Sequence, residues 1–473
     1  MSALSLRPHQ SRAWKLVNVY GRFALYFAVG TGKTIAGLAI IREQVARGNC
    51  RWLVVAPIAV IPGWLRSAEE WFPSLRIWSP AKIYGKKDHR RTLDQWGMTD
   101  YDPKMIESAC FKNAQVVVLN RELMIPRKAG EDARGRAVRV DRPWVGSLYD
   151  GLIVDESDVL TNPRSQTTKA FLRLAGRVNK LILLSGLPSP RDALDLWAQG
   201  YALGCWQDKY FAFCQKYGIQ DRFGAWSARR DGAEEILRLL KTRAWFLEAS
   251  RDLGIPDSQR VVRWYRSAGK RRPETGKTPE QVEAAVMATF AGTGTKYEKL
   301  RQVAAGFLKA YDLEGVTHVW PVHDDRMEAF LELVAELGEQ RAIVWYQHTD
   351  CRDKICVALG DRATWSGEGV SAREMADRWA RFCAGEFQFF VAHPASIGKG
   401  ADGAQLVANN SIWYENTNSY RDWHQATGRL ERSGQTKPVF NFCLAQEGSI
   451  DEKLLDCVEQ KKEWADYVQE YLE

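Results

Sequence analysis

Cysteine is scarce in this 473-residue chain, with nine in all. The closest pairs, Cys351 with Cys356 and Cys205 with Cys214, lack zinc-ribbon spacing, and so few in so long a chain make no disulfide scaffold. The thiols are expected to be reduced and mostly buried. Long apolar runs are missing too. None approaches the roughly 20 residues a membrane helix needs, so no membrane partner is expected. The start, Met1 to Gln10, has no signal-peptide core. The expectation is a soluble, non-secreted chain in a bacterial or host cytoplasm, or in the nucleus of a eukaryote. No sign of charge dominates: 66 basic against 58 acidic residues leave a net +8. That permits a polyanionic partner without demanding one. The seven histidines do not cluster, and His318 and His323, five apart, are not read as a metal pair. No internal repeat of 20 to 50 residues is visible. With 45% hydrophobic and 26% charged residues, wholesale disorder, a collagen-like repeat and a coiled-coil rod are excluded.

What is present is a rhythm. Short runs rich in Val, Ile and Leu recur at Phe23 to Phe27, Trp52 to Ala56, Val116 to Leu119, Leu152 to Val154 and Leu181 to Leu184. They lack polar alternation, as strands buried on both faces do. Helical patterns such as Thr34 to Ala46 lie between them. A second such region begins near Arg341, with strands expected at Ala342 to Tyr346, Phe387 to Ala392, Ser411 to Tyr414 and Val439 to Leu444, and a helix at Met375 to Cys383. The fold class is therefore α/β. The expected divisions are 1–250, a mostly helical 251–335 belonging to the second lobe, and 336–473. The break falls near Leu253-Gly254-Ile255-Pro256-Asp257. A closing helix is expected, with Ser449 as N-cap and Glu452 completing a capping box. Leu454, Val458, Ala465, Val468 and Leu472 would line its apolar face.

Between an expected strand and helix stands Phe27-Ala28-Val29-Gly30-Thr31-Gly32-Lys33-Thr34. That is the setting of a phosphate-binding loop. Gly30 and Gly32 let backbone N–H groups curl around phosphate oxygens, with Thr31 between them. Lys33 adds a point charge. Thr34 offers a hydroxyl to Mg²⁺ near the positive end of the helix. The strict pattern wants Gly where Phe27 stands, and an ordinary turn is the alternative. Leu152 to Val154 run into Asp155-Glu156-Ser157-Asp158. Asp155 suits a metal ligand, and Glu156 suits the group that orients or deprotonates an attacking water. Solvated acids at a strand end are the plainer reading of that segment alone.

As a set, these segments resemble the Snf2-type branch of superfamily 2 helicases and translocases. Leu6-Arg7-Pro8-His9-Gln10 is similar to an adenine-side motif, with Arg7 and Gln10 as its contacts, although a helix-capping Gln10 is the alternative. Leu53 to Pro57 with Trp64, and Leu184-Ser185-Gly186-Leu187-Pro188, resemble further motifs. So do Ile343 to Gln347 and Ser396 to Gln405, which contains Gly400. Gln425-Ala426-Thr427-Gly428-Arg429-Leu430-Glu431-Arg432-Ser433-Gly434-Gln435 matches the family's last motif closely. The resemblance covers nearly the whole chain. It implies two tandem RecA-like lobes with ATP and Mg²⁺ in the cleft between them, in a minimal motor. Arg429 and Arg432, three apart, would share a face if the segment is helical. They would act as arginine fingers, with Gln425 positioning nucleotide or water. Departures stand at Phe27, Ala28, Asp158, Ser185, Leu187 and Asp402, and leave open how the ATP site is coupled to the rest.

The resemblance also implies a DNA partner, double-stranded and without strong sequence preference, and a monomer. The protein partner is left unknown. Asn120, Arg121, Ser185 and Ser396 are the nucleic-acid contacts it carries over. Two basic stretches, Arg121 to Arg142 and Arg260 to Lys277 with Lys270, Arg271 and Arg272, could track a phosphate backbone, or be solvated loops. The implied activity is DNA-dependent ATP hydrolysis driving translocation or remodelling. A strand-separating helicase is the first alternative, and an ATP-switched clamp without hydrolysis the second. Trp64 and Trp413 are expected to pack rather than stack on bases.

Overall fold

A computed structural model describes residues 5–28, 30–48, 50–81, 86–98, 105–131, 137–189, 192–222, 224–247, 254–256, 258–269, 276–289, 293–311, 317–394 and 402–460. The chain divides into two compact units, the first reaching Asp252 and the second beginning at Leu253.

The first unit is built on a seven-stranded sheet. Its order is Ala244–Leu247, Arg22–Phe27, Lys180–Leu184, Gly151–Asp155, Trp52–Ala56, Val116–Asn120, Ile77–Trp78, and every pairing is parallel. Parallel strands must be linked by crossovers that cover the sheet, so both faces are buried. The side chains divide with a period of two between two cores. Ala24, Tyr26, Leu53, Val55, Leu152, Val154, Leu181 and Leu183 enter one. Leu25, Phe27, Trp52, Val54, Ile153, Ile182 and Leu184 enter the other. Each fully buried Leu, Ile or Val contributes roughly 1.5–3 kcal/mol, which explains why these runs lack polar alternation. The helices Pro8–Tyr20, Lys33–Arg47 and Ile61–Trp71 cover the second face. Gln166–Ala175, Trp197–Leu203, Tyr210–Tyr217 and Arg230–Lys241 cover the first. Ser165 caps the helix Gln166–Ala175, its Oγ accepting from Thr168 N at 3.0 Å, the usual way of satisfying a free N–H at a helix start.

The second unit repeats the plan with six parallel strands, ordered Ser258–Tyr265, Val439–Gln446, Asn410–Trp413, Ala342–Trp345, Phe389–Ala392, Ala363–Ser366. Ser371 and Ser419 cap the helices Ala372–Cys383 and Tyr420–Thr427. The expected α/β class is what is observed, in two units.

Several expectations gain detail. The stretch 251–335 carries the helices Pro279–Thr289, Thr293–Ala304 and the start of Asp325–Leu337, as expected, and also strands: Ser258–Tyr265 is an edge strand of the second sheet, and Phe307–Tyr311 pairs with Thr317–Pro321 as a hairpin. An edge strand has one strand neighbour and needs no continuous apolar run, so its charges hid it. In the basic segment from Arg260, three of the described arginines pair with carboxylates of their own unit. Arg260 pairs with Glu459 at 2.7 Å, Arg263 with Glu336 and Arg266 with Glu447. Four of the nine cysteines are buried and five half-buried, short of mostly buried. The closing helix runs over 450–460 with Ser449 as its N-cap, as expected, but Glu452 does not complete the box. Ser449 Oγ accepts from Asp451 N at 3.2 Å, and Glu452 reaches Gly448 N at 2.8 Å. Leu454 and Val458 are buried, while Ala465, Val468 and Leu472 lie outside the described residues.

Candidate active site

The carboxyl ends of the first sheet's strands gather the singled-out segments along one edge. Phe27 leads to the phosphate loop, Asn120 to Arg121, Asp155 to Glu156, and Leu184 to Ser185. Open parallel sheets bind ligands at that edge, because crossover helices begin there with unpaired N–H groups.

The loop has the geometry its glycines permit. Gly30 and Gly32 have φ of 82° and 84°, a region side-chain-bearing residues rarely adopt. Gly32 is the N-cap of the helix Lys33–Arg47 and supplies no side-chain acceptor, so the helix start presents its N–H groups and positive dipole end to an anion. Thr31 is buried, with Oγ1 donating to Ala28 O at 2.8 Å. The Lys33 ammonium donates to Phe27 O at 2.9 Å and Ala28 O at 3.3 Å. Thr34 is half-buried at the first turn. The first helix braces the loop: His9 Nε2 meets Thr31 O at 2.9 Å, and Gln10 Nε2 reaches Gly32 O at 3.4 Å. Gln10 Oε1 also accepts from Arg7 N at 3.0 Å. Here the amide therefore caps its helix and touches the loop.

Asp155 is buried. Its Oδ2 accepts from Trp64 Nε1 at 3.0 Å, and its Oδ1 from Glu156 N at 3.0 Å. Trp64 is wholly buried, as its packing role required, but its indole also aims the carboxylate. Gly37 makes room for that ring, since a Cβ there would lie 2.7 Å from it. Among the described residues Glu156 alone combines a side chain with positive φ, at 54°. Such a conformation costs about 1–3 kcal/mol and is kept only where neighbours enforce it. Arg121 Nη2 donates to Glu156 O at 3.2 Å, and Ser157 Oγ donates to Gln199 Oε1 at 2.9 Å.

Asn120 is largely buried and donates to Glu122 Oε2 at 2.6 Å. Ser185 is the third of the expected nucleic-acid contacts. Ser185 is wholly buried, and its Oγ accepts from Leu187 N at 3.1 Å, so the hydroxyl shapes its own turn. Sequence reasoning also missed an exposed antiparallel hairpin, Arg127–Glu131 with Ala137–Val140, inside the first basic stretch. Its spacing of basic residues was the available signal. It missed Gln199 altogether.

In the second unit Gln425 lies half-buried on the helix Tyr420–Thr427. That helix ends at Gly428, and residues 428–434 are turns and bends. Arg429 and Arg432 therefore do not share a helix face, because the glycine ends the helix before them. Arg429 is buried. Arg432 Nε donates to Gly428 O at 2.6 Å, and its Nη1 pairs with Asp402 at 3.4 Å. Burial would raise the Asp402 carboxyl, but Arg432, the Gly403 N–H and Gln405 outweigh it and hold it below the usual range. Ser396, Gly400, Lys270, Arg271 and Arg272 lie outside the described residues.

Nothing in this donor set conflicts with a magnesium-bound phosphate: a hydroxyl at the helix start, an oriented carboxylate and an uncapped helix N-terminus suit it. Fold and site together define a parallel α/β protein whose first unit carries, on one sheet edge, an acidic pair and a glycine-rich loop shaped as a phosphate-binding loop would be. Residues 27–205 match the family model of the SNF2-related domain. Over those residues the chain is similar to that domain.

It is 22% identical over 465 residues to the Xenopus tropicalis SWI/SNF-related matrix-associated actin-dependent regulator of chromatin subfamily A-like protein 1, across 93% of this chain and 42% of that protein. It is 24% identical to protein p41 of Acyrthosiphon pisum secondary endosymbiont phage 1, across 96% of each. It is 22% identical to the Bacillus subtilis protein YwqA, across 98% of this chain and 49% of that one. The chain thus spans less than half the length of the Xenopus and Bacillus relatives. A solved Sulfolobus solfataricus SWI2/SNF2 ATPase core in complex with dsDNA aligns over 98% of this chain and 92% of its own, at 18% identity and a TM-score of 0.42, too distant a likeness to carry a conclusion.

Proposed function

We propose that this chain is a DNA-dependent ATPase that couples ATP hydrolysis to translocation on, or remodelling of, double-stranded DNA. The observation that carries this reading is the placement of the phosphate loop and the Asp155–Glu156 pair at nearby strand ends of one parallel sheet, in a chain whose residues 27–205 match the SNF2-related domain.

In this reading Lys33 and the loop N–H groups hold the phosphates, and Thr34 and Asp155 hold Mg²⁺. Bound there, the ion neutralises charge on the transferred phosphoryl group. Trp64 fixes Asp155 by its indole N–H. Glu156, at the carboxyl end of the same strand, takes or orients the proton of the attacking water. Arg429 and Arg432 stabilise developing negative charge, which requires Arg432 to leave Asp402. Gln425 positions nucleotide or water, and Arg7 and Gln10 read adenine, which requires Gln10 to exchange its present partners. DNA is held chiefly through phosphates, with little sequence preference, and Asn120, Arg121 and Ser396 are its contacts. The chain acts as a monomer in a cytoplasm, or in a nucleus where the cell has one.

The test is steady-state ATP hydrolysis with no nucleic acid, duplex DNA, single-stranded DNA, forked DNA and RNA, beside Glu156→Gln. Stimulation by duplex DNA that disappears in the variant is expected. Stimulation chiefly by single strands or RNA would replace this reading with an unwinding helicase. Absence of hydrolysis under every condition would replace it with a nucleotide-switched clamp.

A further inference from the structure

Three strand ends at the centre of the first sheet share one buried amide. The strands Arg22–Phe27, Lys180–Leu184 and Gly151–Asp155 are neighbours in that order. Each runs into a segment of the site: the phosphate loop, the Ser185–Pro188 turn, and Glu156 with Ser157. Gln199 lies beneath them on the short helix Trp197–Leu203, wholly buried. Its Oε1 accepts from Tyr26 OH at 3.0 Å and from Ser157 Oγ at 2.9 Å. Its Nε2 donates to Pro188 O at 2.9 Å.

The orientation of that amide follows from chemistry. A carbonyl can only accept, so the NH₂ group must face Pro188, and the oxygen is left for the two hydroxyls. Tyr26 and Ser157 are themselves wholly buried. None of these groups has water as an alternative partner, and burial leaves the Tyr26 phenol firmly protonated. In such surroundings a shared hydrogen bond fixes geometry strongly, because breaking it leaves a polar group unpaired. Each link sits close to chemistry. Tyr26 immediately precedes Phe27, whose carbonyl receives Lys33. Ser157 immediately follows Glu156, the one described non-glycine held at positive φ. Pro188 closes the turn that Ser185 shapes. A shift of the acidic segment must therefore pull on the amide, and through it on the other two.

We propose that Gln199 is a positioning residue that mechanically couples the phosphate-loop strand, the Glu156–Ser157 segment and the Ser185–Pro188 turn, so that rearrangement at one is felt at the others. This deepens the ATPase reading and rests on it for its effect on turnover. The coupling itself does not depend on that reading.

Two measurements test it. The first compares wild type, Gln199→Leu, and the triple variant Tyr26→Phe/Ser157→Ala/Gln199→Leu, which removes the two hydroxyl donors together with the amide. The single change strands buried polar groups and lowers the unfolding midpoint, and the triple change recovers most of that loss. A merely structural residue would recover turnover along with stability. Coupling predicts instead that kcat with duplex DNA stays at least about tenfold down in both variants while KM for ATP moves less than about threefold, an effect confined to the transition state. Full kcat in either variant would overturn the proposal.

The second needs no hydrolysis. Ser157→Ala should speed amide hydrogen exchange at residues 185–189, and should cease to do so in chains already carrying Gln199→Leu. An equal effect of Ser157→Ala in both backgrounds would overturn the coupling. A wild-type chain that hydrolyses no ATP would instead overturn the ATPase reading, and the exchange comparison would still decide the role of Gln199.

Discussion

The carboxyl edges of the two sheets are built from different chemistry. In the first unit the edge is organised by backbone conformation and by indole, amide and hydroxyl groups. Trp64 aims Asp155, Gln199 joins three segments, and glycines shape the loop. In the second unit it is organised by charge. His348 follows the strand Ala342–Trp345, and its Nδ1 meets Glu415 at 2.5 Å while its Nε2 meets Glu298 at 2.7 Å. Burial alone would lower the His348 pKa, but the two carboxylates outweigh it and lift it to about 9. Burial alone would raise Glu415. His348 and the N–H groups of Gln347 and His348 hold it instead at about 2. Deeper in the same unit Arg326 pairs with Asp451, both buried, and donates to Ala304 O at 2.9 Å and Tyr414 O at 2.6 Å. The difference teaches where each unit is vulnerable. A neutral network fixes geometry at any ordinary pH, whereas buried ion pairs depend on both partners keeping their charge.

The comparison breaks most sharply if chemistry and stability fail to separate between the units. Lys33→Ala should cost hydrolysis at least about 100-fold, the scale for losing a group that stabilises developing charge. It should leave the unfolding curve nearly unchanged, because among the described residues Lys33 donates to the carbonyls of Phe27 and Ala28 and makes no ion pair. Unaltered turnover would remove the phosphate loop from the mechanism.

Next in size is the reverse case. Glu415→Gln removes one carboxylate from a buried cation and should destabilise the second unit by about 3–5 kcal/mol. Denaturant unfolding followed by tryptophan fluorescence reads this as an early transition. Coincident unfolding with wild type would show that His348 and Glu298 suffice.

A pH series sharpens the same point. His348 has a raised pKa, so its contribution is complete below its unfolded value of about 6.5 and is lost as pH climbs through about 9. Glu415 has a lowered pKa, so its contribution is complete above its unfolded value of about 4.3 and is lost as pH falls through about 2. Stability of the second unit should therefore peak between about 4.5 and 6.5 and decline by pH 9, measured as the denaturant midpoint at each pH. A flat profile from pH 6 to 9 would contradict the pairing.

The smallest expected effect is at Asp402. The Arg432–Asp402 pair is partly exposed, and such pairs contribute about 0.2–1 kcal/mol. Asp402→Asn should free Arg432 and lower KM for ATP by no more than about fivefold. An increased KM would mean that the aspartate orients the arginine rather than withholding it.

Legibility in the sequence followed burial. The central strands were readable because a parallel strand covered on both faces must be continuously apolar, as Leu53 to Val55 and Leu181 to Leu184 are. The edge strand Ser258–Tyr265 was not, because its charges satisfy solvent and ion pairs on its open side. The phosphate loop was readable because its chemistry is local: glycines, lysine and threonine within a few residues act together. Arg429 and Arg432 were identifiable as residues, but Gly428 ends the helix and denies them the face their spacing implied. The pairing of Arg260, Arg263 and Arg266 was not legible either, because a sequence counts charges and does not show which are already paired.

By itself the sequence determined the α/β class, the two regions, the loop and the acidic pair. Each depends on periodicity or on neighbours within one turn of chain. Only the tertiary structure decided that Trp64 aims Asp155 across 91 residues, that Gln199 meets Tyr26 across 173 and Ser157 across 42, and that His348 sits between two carboxylates. Such contacts follow from the order of strands in a sheet, and a buried glutamine or histidine carries no local mark of the partner that will satisfy it.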